Sequence, residues 1–318
     1  MNNDKKIVCL GGGIGTVNLI RGLKRNFSDI TVVVSMADEG GSSGRLRKMY
    51  DIFPPGDIVS CLSALAPDNS LISKLLTYRF PGDRYSRNEY LAGHKLGNLL
   101  MVALRDISDD FFTAVCKLQE IFHISGTILP ATDEQVTISA RTKEGAMVVG
   151  EENIDLGKYA GERVLDHVFI HPENPAVSEK VITSIEKADV LIAGPGDLYT
   201  TILPVLIIPR VKDAILKSNA LKIFVVNVAN KPFETKGYSI QDFISAISKH
   251  MGVFPFNRVI ANNNDRIAIP KKYKYDYVHK DTSTFPVDIG LIEQDLVDDA
   301  FPLYHASDKL AKVIAETL

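Results

Sequence analysis

The sequence predicts an α/β fold, a three-layer sandwich built on a mostly parallel sheet with a small hairpin insertion. Short β-branched runs are followed by Gly-rich turns and then by amphipathic helices, which is the order of βα units around a parallel sheet. Of the 318 residues, 45% are hydrophobic and 24% are charged, which suits a chain that buries a sizeable core. We therefore expect residues 1–318 to form one domain, with helical and hairpin insertions at about residues 50–160.

The βα units follow one another along the chain. The first strand is predicted at residues 6–10, and it leads through a Gly-rich turn into a helix whose apolar positions recur at helical spacing. Further strands are predicted at residues 30–35, 190–193, 223–228 and 259–261. Helices are predicted at residues 239–250 and 307–317. The span 58–121 is rich in helical pattern, and residues 136–140 and 146–149 flank a turn as a hairpin.

Composition excludes several classes of protein. The 36 basic and 39 acidic residues give a net charge of −3 without a basic block, which argues against a nucleic-acid surface. The three cysteines, Cys9, Cys61 and Cys116, are far apart and form no metal-binding pattern, so reduced thiols are expected. No apolar run approaches the roughly 20 residues of a membrane helix, and the polar start does not resemble a signal peptide. We expect a soluble cytoplasmic protein.

The first candidate site is the glycine-rich turn after the first strand. Gly11, Gly12, Gly13 and Gly15, followed by Thr16, lie between a strand and a helix, where backbone N–H groups and the helix dipole can receive a phosphate. The run matches the dinucleotide fingerprint only in part. A tight turn that packs the helix on the strand is the structural alternative.

The second candidate site follows the second strand, at the same edge of the predicted sheet. Its glycines, hydroxyls and cation can surround an anion, and its acids can hold a ribose hydroxyl or a metal ion. The anion-binding candidates are Gly41, Ser42, Ser43 and Arg45, and the metal candidates are Asp38 and Glu39, with Asp38 also a nucleotide-binding candidate. A solvated surface loop is the structural alternative.

A third Gly-rich turn repeats the arrangement of strand, turn and hydroxyl. Gly194, Gly196, Asp197, Tyr199 and Thr200 are candidate ligand contacts, because they follow the strand at residues 190–193. For Asp197, an N-cap is the alternative role.

Two further segments supply polar groups. Asn227 is a nucleotide-binding candidate from a fourth edge loop, and Lys95 and Asn98 can contact phosphate at the start of a helix. His94 and Asp57 join Asp38 as candidate catalytic groups, although a structural histidine and an N-capping aspartate are the simpler interpretations.

Taken together, five motifs resemble those of the gluconeogenesis-factor family, a branch of the group that includes 2-phospho-L-lactate transferase. They are GGGIGT at 11–16, ADEGGSSGRLR at 37–47, PPGD at 54–57, GHKLGNLL at 93–100 and GPGDLYT at 194–200. The resemblance implies a Rossmann-like core and a cytoplasmic protein needed for growth and normal cell shape on gluconeogenic carbon sources. It also implies a UDP-sugar ligand, or, in the transferase branch, a guanosine diphosphate donor with Mg²⁺.

This chain departs from the family pattern at several positions. Glu39 stands where the family usually has Asp, Val59-Ser60 where it commonly has Arg-Asn, Asp197 where it has Ser, and Tyr304 where it has Arg. Three hypotheses follow: a regulatory protein that binds a nucleotide sugar or another nucleotide diphosphate, a Mg²⁺-dependent transferase, and, ranked last, a nicotinamide oxidoreductase. Whether the chain forms a homodimer stays open.

Overall fold

The fold was analysed in a computed structural model that describes residues 4–83, 91–161, 164–281, 285–286 and 288–318. Seven strands form one parallel sheet. In sheet order they are β12 (Gly290–Gln294), β10 (Arg258–Asn262), β8 (Leu221–Val225), β7 (Val190–Ala193), β1 (Ile7–Gly11), β2 (Ile30–Val34) and β3 (Thr127–Pro130). Helices flank the sheet, so the predicted α/β class with a parallel sheet is confirmed.

The helices fill the connections between the strands. They are α1 (Gly13–Leu23), α2 (Gly41–Tyr50), α3 (Gly56–Leu65), α4 (Leu71–Thr77), α5 (Leu96–Asp106), α6 (Phe111–Ile121), α7 (Glu151–Asp155), α8 (Glu179–Glu186), α9 (Leu203–Leu206), α10 (Pro209–Lys217), α11 (Ile240–Met251) and α12 (Ser307–Thr317). Residues 84–90, which fall inside the predicted helix-rich span 58–121, lie outside the described residues. Among the described residues, no helix has the length and apolar character needed to cross a membrane.

The core lies on both faces of the sheet. Every residue of β1, β2 and β7 is buried, as expected for central parallel strands covered by helices on both faces. On one side of this core, α1 packs against α3 and α12. Gly22 lets α1 approach α12 closely, because a side chain there would collide with the Ser307 carbonyl.

The strand order contains a switch point beside β1. From β1 the chain moves outward through β2 to β3, and it then returns to the other side of β1, where β7 pairs with it in the register Ile7 to Val190. The turns that follow β1 and β7 therefore lie next to each other at the carboxyl edge of the sheet. In open α/β sheets this crevice is where ligands bind.

The predicted hairpin is present and is part of a larger unit. β4 (Thr137–Thr142) pairs antiparallel with β5 (Met147–Val149) and also with β6 (Leu165–His171), which the sequence reading missed. Two short strands, β9 (Ala229–Asn230) and β11 (Asp276–Tyr277), pair elsewhere. Directly after β5, α7 turns back toward the carboxyl edge of the large sheet, and this position matters for the site.

From the contacts and the pKa of His250, we expect the fold to lose stability in mild acid. Its Nδ1 donates to the Ala246 carbonyl at 2.7 Å, and its Nε2 accepts from the Val168 N–H at 2.9 Å, so both ring nitrogens are satisfied only in the neutral ring. Burial lowers the pKa of His250 to about 4. Because the unfolded chain takes up a proton near pH 6.5, His250 stabilises the fold above that pH, and its contribution falls as the pH drops toward 4.

The expected loss from His250 between pH 7.5 and pH 5 is about 2 kcal/mol in the free energy of unfolding. Urea unfolding followed by circular dichroism at the two pH values measures it. A His250→Gln variant cannot take up this proton and should show a smaller difference. Equal pH dependence in the two proteins would contradict this role of the histidine.

Candidate functional site

A cleft with two chambers opens at the switch point. The larger chamber, of about 440 Å³, includes Ser42 in its lining and is called the Ser42 chamber; the smaller, of about 230 Å³, includes Asn227 and is called the Asn227 chamber. Gly13 and Ile14, at the start of α1, line both. The two chambers therefore adjoin each other at the glycine-rich turn.

The glycine-rich turn after β1 divides the roles of its residues. The Gly12 N–H donates to the Thr16 hydroxyl at 2.9 Å, which fixes the turn. Gly15 lies against the Pro195 carbonyl, so a side chain there would push the two turns apart. Gly13 has φ +65°, and a Cβ on it would enter open space. Gly11 and Thr16 thus shape the turn, while Gly13 faces the cleft.

Asp57 occupies the anion position at the start of α1. Its Oδ2 accepts from the Gly13 N–H at 2.8 Å, at the place where the sequence predicted a ligand phosphate. Asp57 is not the N-cap of α3, because that helix begins at Gly56 with Pro55 as its N-cap. A ligand phosphate at this position would have to compete with the Asp57 carboxylate for the same N–H group.

The predicted metal pair is not brought together. Asp38 lines the Ser42 chamber, and its Oδ1 accepts from the Gly40 N–H at 2.9 Å. Glu39 is instead bound by groups of α2 and β4: its Oε1 accepts from the Thr137 hydroxyl at 2.9 Å and lies 3.8 Å from the Arg47 guanidinium. Because the Glu39 carboxylate contacts Thr137 and Arg47, it does not form one site with the Asp38 carboxylate.

Three acidic side chains that were not predicted from the sequence lie in the same chamber as Asp38. Glu151, Glu152 and Asp155 of α7 line the Ser42 chamber. Burial, followed by the charge of Asp57, raises the pKa of Asp38 to about 7. Burial, together with the charges of Asp38 and Asp155, raises the pKa of Glu151 to about 9. Burial therefore favours the neutral form of both carboxyl groups, and a cation or a hydrogen-bond donor would favour their ionised form.

Basic and hydroxyl groups line the same chamber. Lys95 Nζ donates to Ser60 Oγ at 2.7 Å, and burial lowers the pKa of Lys95. Arg21, Arg79, Ser42 and Ser43 also contribute to the lining. The Asn98 side chain is buried here, and its Oδ1 has no hydrogen-bond partner among the described residues. Ammonium, guanidinium and hydroxyl groups around one cavity are the donors that bind phosphate oxygens.

Eight predicted site residues lie outside the described lining of the cleft, namely Gly11, Thr16, Glu39, Arg45, His94, Gly194, Tyr199 and Thr200. Tyr199 and Thr200 are buried in a π-helix at Leu198–Ile202, where the Tyr199 N–H and the Thr200 hydroxyl donate to Glu234 at 3.0 and 2.8 Å. Arg45 donates to the Ala92 carbonyl. His94 is buried, and burial with the charge of Arg45 lowers its pKa to about 4.

The Asn227 chamber has a different lining. Gly196 and Asp197 come from the turn after β7, and Tyr275, Leu303, Tyr304 and His305 come from the C-terminal part. Asn227 Oδ1 accepts from the Gly196 N–H at 3.0 Å, so the NH2 of the amide is the group that can donate to a ligand. His305 donates from Nε2 to the Val226 carbonyl at 3.1 Å, and burial lowers its pKa to about 4, which keeps the ring neutral.

A lysine that the sequence reading missed lies between the chambers. Lys231 Nζ contacts Asp155, lies 2.6 Å from Asp197 Oδ2 and lies 3.3 Å from Glu234 Oε1. Although burial alone would lower it, these three carboxylates raise the pKa of Lys231 well above its usual value. In the described part of the chain, these acids form the group of three whose oxygens come within 4.8 Å of one another, and the Lys231 ammonium already contacts all three.

Comparisons with known proteins identify relatives along nearly the whole chain. Residues 7–299 match the family model of 2-phospho-L-lactate transferase CofD. The gluconeogenesis factor of Bacillus subtilis strain 168 is 36% identical over 329 residues, covering 100% of this chain and 99% of the relative. That of Halalkalibacterium halodurans is 38% identical over 249 residues, covering 78% and 74%.

A crystal structure shows the same fold. Protein BH3568 from Bacillus halodurans superposes with a TM-score of 0.89 at 33% identity, covering 98% of this chain and 99% of that one. The family resemblance inferred from the five motifs is thereby confirmed.

Proposed function

Since this chain belongs to the 2-phospho-L-lactate transferase CofD family, with relatives named gluconeogenesis factor, we propose that it is a cytoplasmic regulatory protein that binds a nucleotide sugar. A UDP-sugar is the ligand that we propose to test first. Binding would link carbon supply to growth and cell shape on gluconeogenic carbon sources. Family membership does not identify the ligand, which has to be argued from the cleft itself.

The position of the cleft is the observation that carries this proposal. It lies at the carboxyl edge of the parallel sheet, at the switch point between β1 and β7, and the N-terminus of α1 opens into it. A helix N-terminus beside a glycine turn at such a point favours the phosphates of a nucleotide, which would displace Asp57 from the Gly13 N–H.

The two chambers suit the two chemical parts of such a ligand. Lys95, Arg79 and the Ser42 hydroxyl in one chamber are donors for a diphosphate, and the tyrosines and the amide in the other suit a sugar ring. Ser60 and Lys95 are a serine and a lysine in contact in this lining, but Lys95 donates to Ser60 Oγ while the Ser60 hydroxyl donates to the Gly56 carbonyl at 2.6 Å, so the lysine is not placed to take the serine proton as a base. This composition favours binding over turnover.

We expect UDP-glucose to raise the melting temperature more than NAD does. A ligand that binds the folded state stabilises it by about 2.7 kcal/mol at a hundredfold excess over Kd. Thermal unfolding of the chain with each compound, at equal concentrations, measures the difference. Equal or greater stabilisation by NAD would favour an oxidoreductase and contradict the proposal.

A Mg²⁺-dependent transferase is the second candidate function. The observation in its favour is the group of carboxyl groups in the Ser42 chamber, where burial, followed by the charge of Asp57, raises the pKa of Asp38, so that a cation between the two carboxyl groups would favour the ionised form. Asp38 and Asp57 fit Mg²⁺ as hard oxygen donors, with Glu151 close by. When bound, the ion would neutralise a diphosphate, while Lys95 and Arg79 orient its oxygens.

An Asp38→Asn variant separates the two functions. If Asp38 accepts a hydrogen bond from the ligand, the change should weaken binding by about 1.5–3 kcal/mol whether or not Mg²⁺ is present. Calorimetric titration with UDP-glucose, in Mg²⁺ and in chelator, measures both conditions. We expect the metal-independent loss. A loss confined to the Mg²⁺ titration would favour the transferase.

A further inference from the structure

The side chain of Asp197 does not act as a helix cap, although the residue stands at a helix start. It stands at the N-cap of the π-helix Leu198–Ile202, but its side chain makes no capping hydrogen bond. The carboxylate instead lines the Asn227 chamber, and 37% of the side chain is exposed. The capping role, which the sequence left open, is therefore not the role of this side chain.

Lys231 holds the carboxylate in place from behind. The ammonium engages Asp197 Oδ2 at 2.6 Å, and the Lys231 side chain is only 11% exposed. Lys231 is itself anchored by Asp155 and by the fully buried Glu234. This network holds the Asp197 side chain in one orientation while the rest of the carboxylate faces the chamber.

The charge of Asp197 decides which part of a ligand the chamber accepts. A carboxylate is an acceptor, so it binds hydroxyl groups and repels phosphate oxygens. The described lining of the Asn227 chamber contains no Lys or Arg, whereas that of the Ser42 chamber contains Arg21, Arg79 and Lys95. The phosphate-binding groups of the cleft are thus in the other chamber.

The remaining side chains complete a site for hydroxyl groups. Tyr275 and Tyr304 lie near Asp197, whose charge contributes to raising the pKa of both phenols after the larger effect of burial. The Asn227 amide adds a donor beside them. A carboxylate acceptor, an amide donor and two aromatic rings match a sugar ring, which offers hydroxyl groups at its rim and C–H groups on its faces.

We propose that Asp197 is a specificity-determining residue that accepts hydrogen bonds from hydroxyl groups of the ligand's sugar ring, held for that purpose by Lys231. The Asn227 chamber is then the sugar subsite, and the diphosphate lies across Gly13 toward Lys95. This inference rests on the proposed nucleotide-sugar function. The ring is either the pendant sugar or the ribose, which share the same hydroxyl chemistry.

Calorimetric titration of wild type and Asp197→Asn with UDP-glucose, UDP and 2′,3′-dideoxyuridine diphosphate tests it. For a pendant sugar, the variant should bind UDP-glucose roughly tenfold or more weakly and bind UDP no more weakly than wild type. For the ribose, UDP-glucose and UDP should both weaken while the dideoxy compound does not. Asp197→Ser removes the same charge and should give the same pattern.

Asp166→Asn provides the matched control. Asp166 pairs with Arg141 and Lys249 on the surface, outside the described lining of the cleft, so its loss should leave all three affinities unchanged. Unchanged or tighter binding of both UDP-glucose and UDP by both Asp197 variants would overturn the inference while leaving the proposed function intact. Failure of the wild type to bind either nucleotide would overturn the proposed function, and this inference with it.

Discussion

A Lys231→Met variant is expected to lose about 3–5 kcal/mol of the free energy of unfolding at pH 7.5. Methionine has a similar shape but leaves Asp155, Asp197 and Glu234 without the ammonium that contacts all three. Burial raises the pKa of Glu234 to about 7, so this carboxyl group takes up a proton as the pH falls below that value. The loss should therefore be smaller at pH 5.5, which urea unfolding at the two pH values measures.

Lys249→Met is the matched control for this change. Lys249 also pairs with an aspartate, Asp166, but its side chain is 46% exposed. Exposed ion pairs contribute about 0–1 kcal/mol, so this variant should lose little stability at either pH. Similar small losses in the two variants would show that the Lys231 network does not stabilise the fold in the way described.

Gly13→Ala is expected to weaken binding of UDP-glucose by about 1.5–3 kcal/mol, or roughly 10- to 150-fold. The added methyl group would project into the space shared by the two chambers, where the ligand has to approach the backbone. The positive φ of Gly13 adds a stability cost of about 1–2 kcal/mol for any residue with a Cβ. Calorimetric titration and thermal unfolding of the variant separate the two effects.

Gly145→Ala carries the same backbone strain without the steric block. Gly145 has φ +89° in the β4–β5 turn, and no atom lies within 4 Å of the position of its Cβ. It should lose similar stability and bind UDP-glucose like wild type. If the two glycine variants bind equally well, the first turn has only a structural role.

The fold could be predicted because the central units repeat one strong pattern. β1, β2, β7 and α12 lie where β-branched runs and helical periodicity placed them. The edge strands β3 and β12 were missed, because β3 ends in Pro130 and β12 is only partly buried, so neither has a continuous apolar signal. β6 was missed because its partner β4 comes from a distant segment of the chain.

The site was only partly predictable, since its residues meet through tertiary structure. The glycine turns after β1 and β7 could be found because local sequence defines them. Glu151 and Lys231 could not be found from local sequence. The position of α7 brings Glu151 to the cleft, and the position of the segment after β9 brings Lys231 there. The adjacent side chains of Asp38 and Glu39 also lie in different places. Asp38 faces the cleft, while Glu39 contacts Arg47, because the partners that fix each side chain lie far along the chain or on another element.

A crystal structure of the chain with UDP-glucose tests the central claim most directly. We expect one ligand in the cleft, with its diphosphate crossing Gly13 toward Lys95 and Arg79 and a sugar ring against Asp197. A ligand bound away from the cleft, or a cleft that stays empty at saturating UDP-glucose, would contradict it.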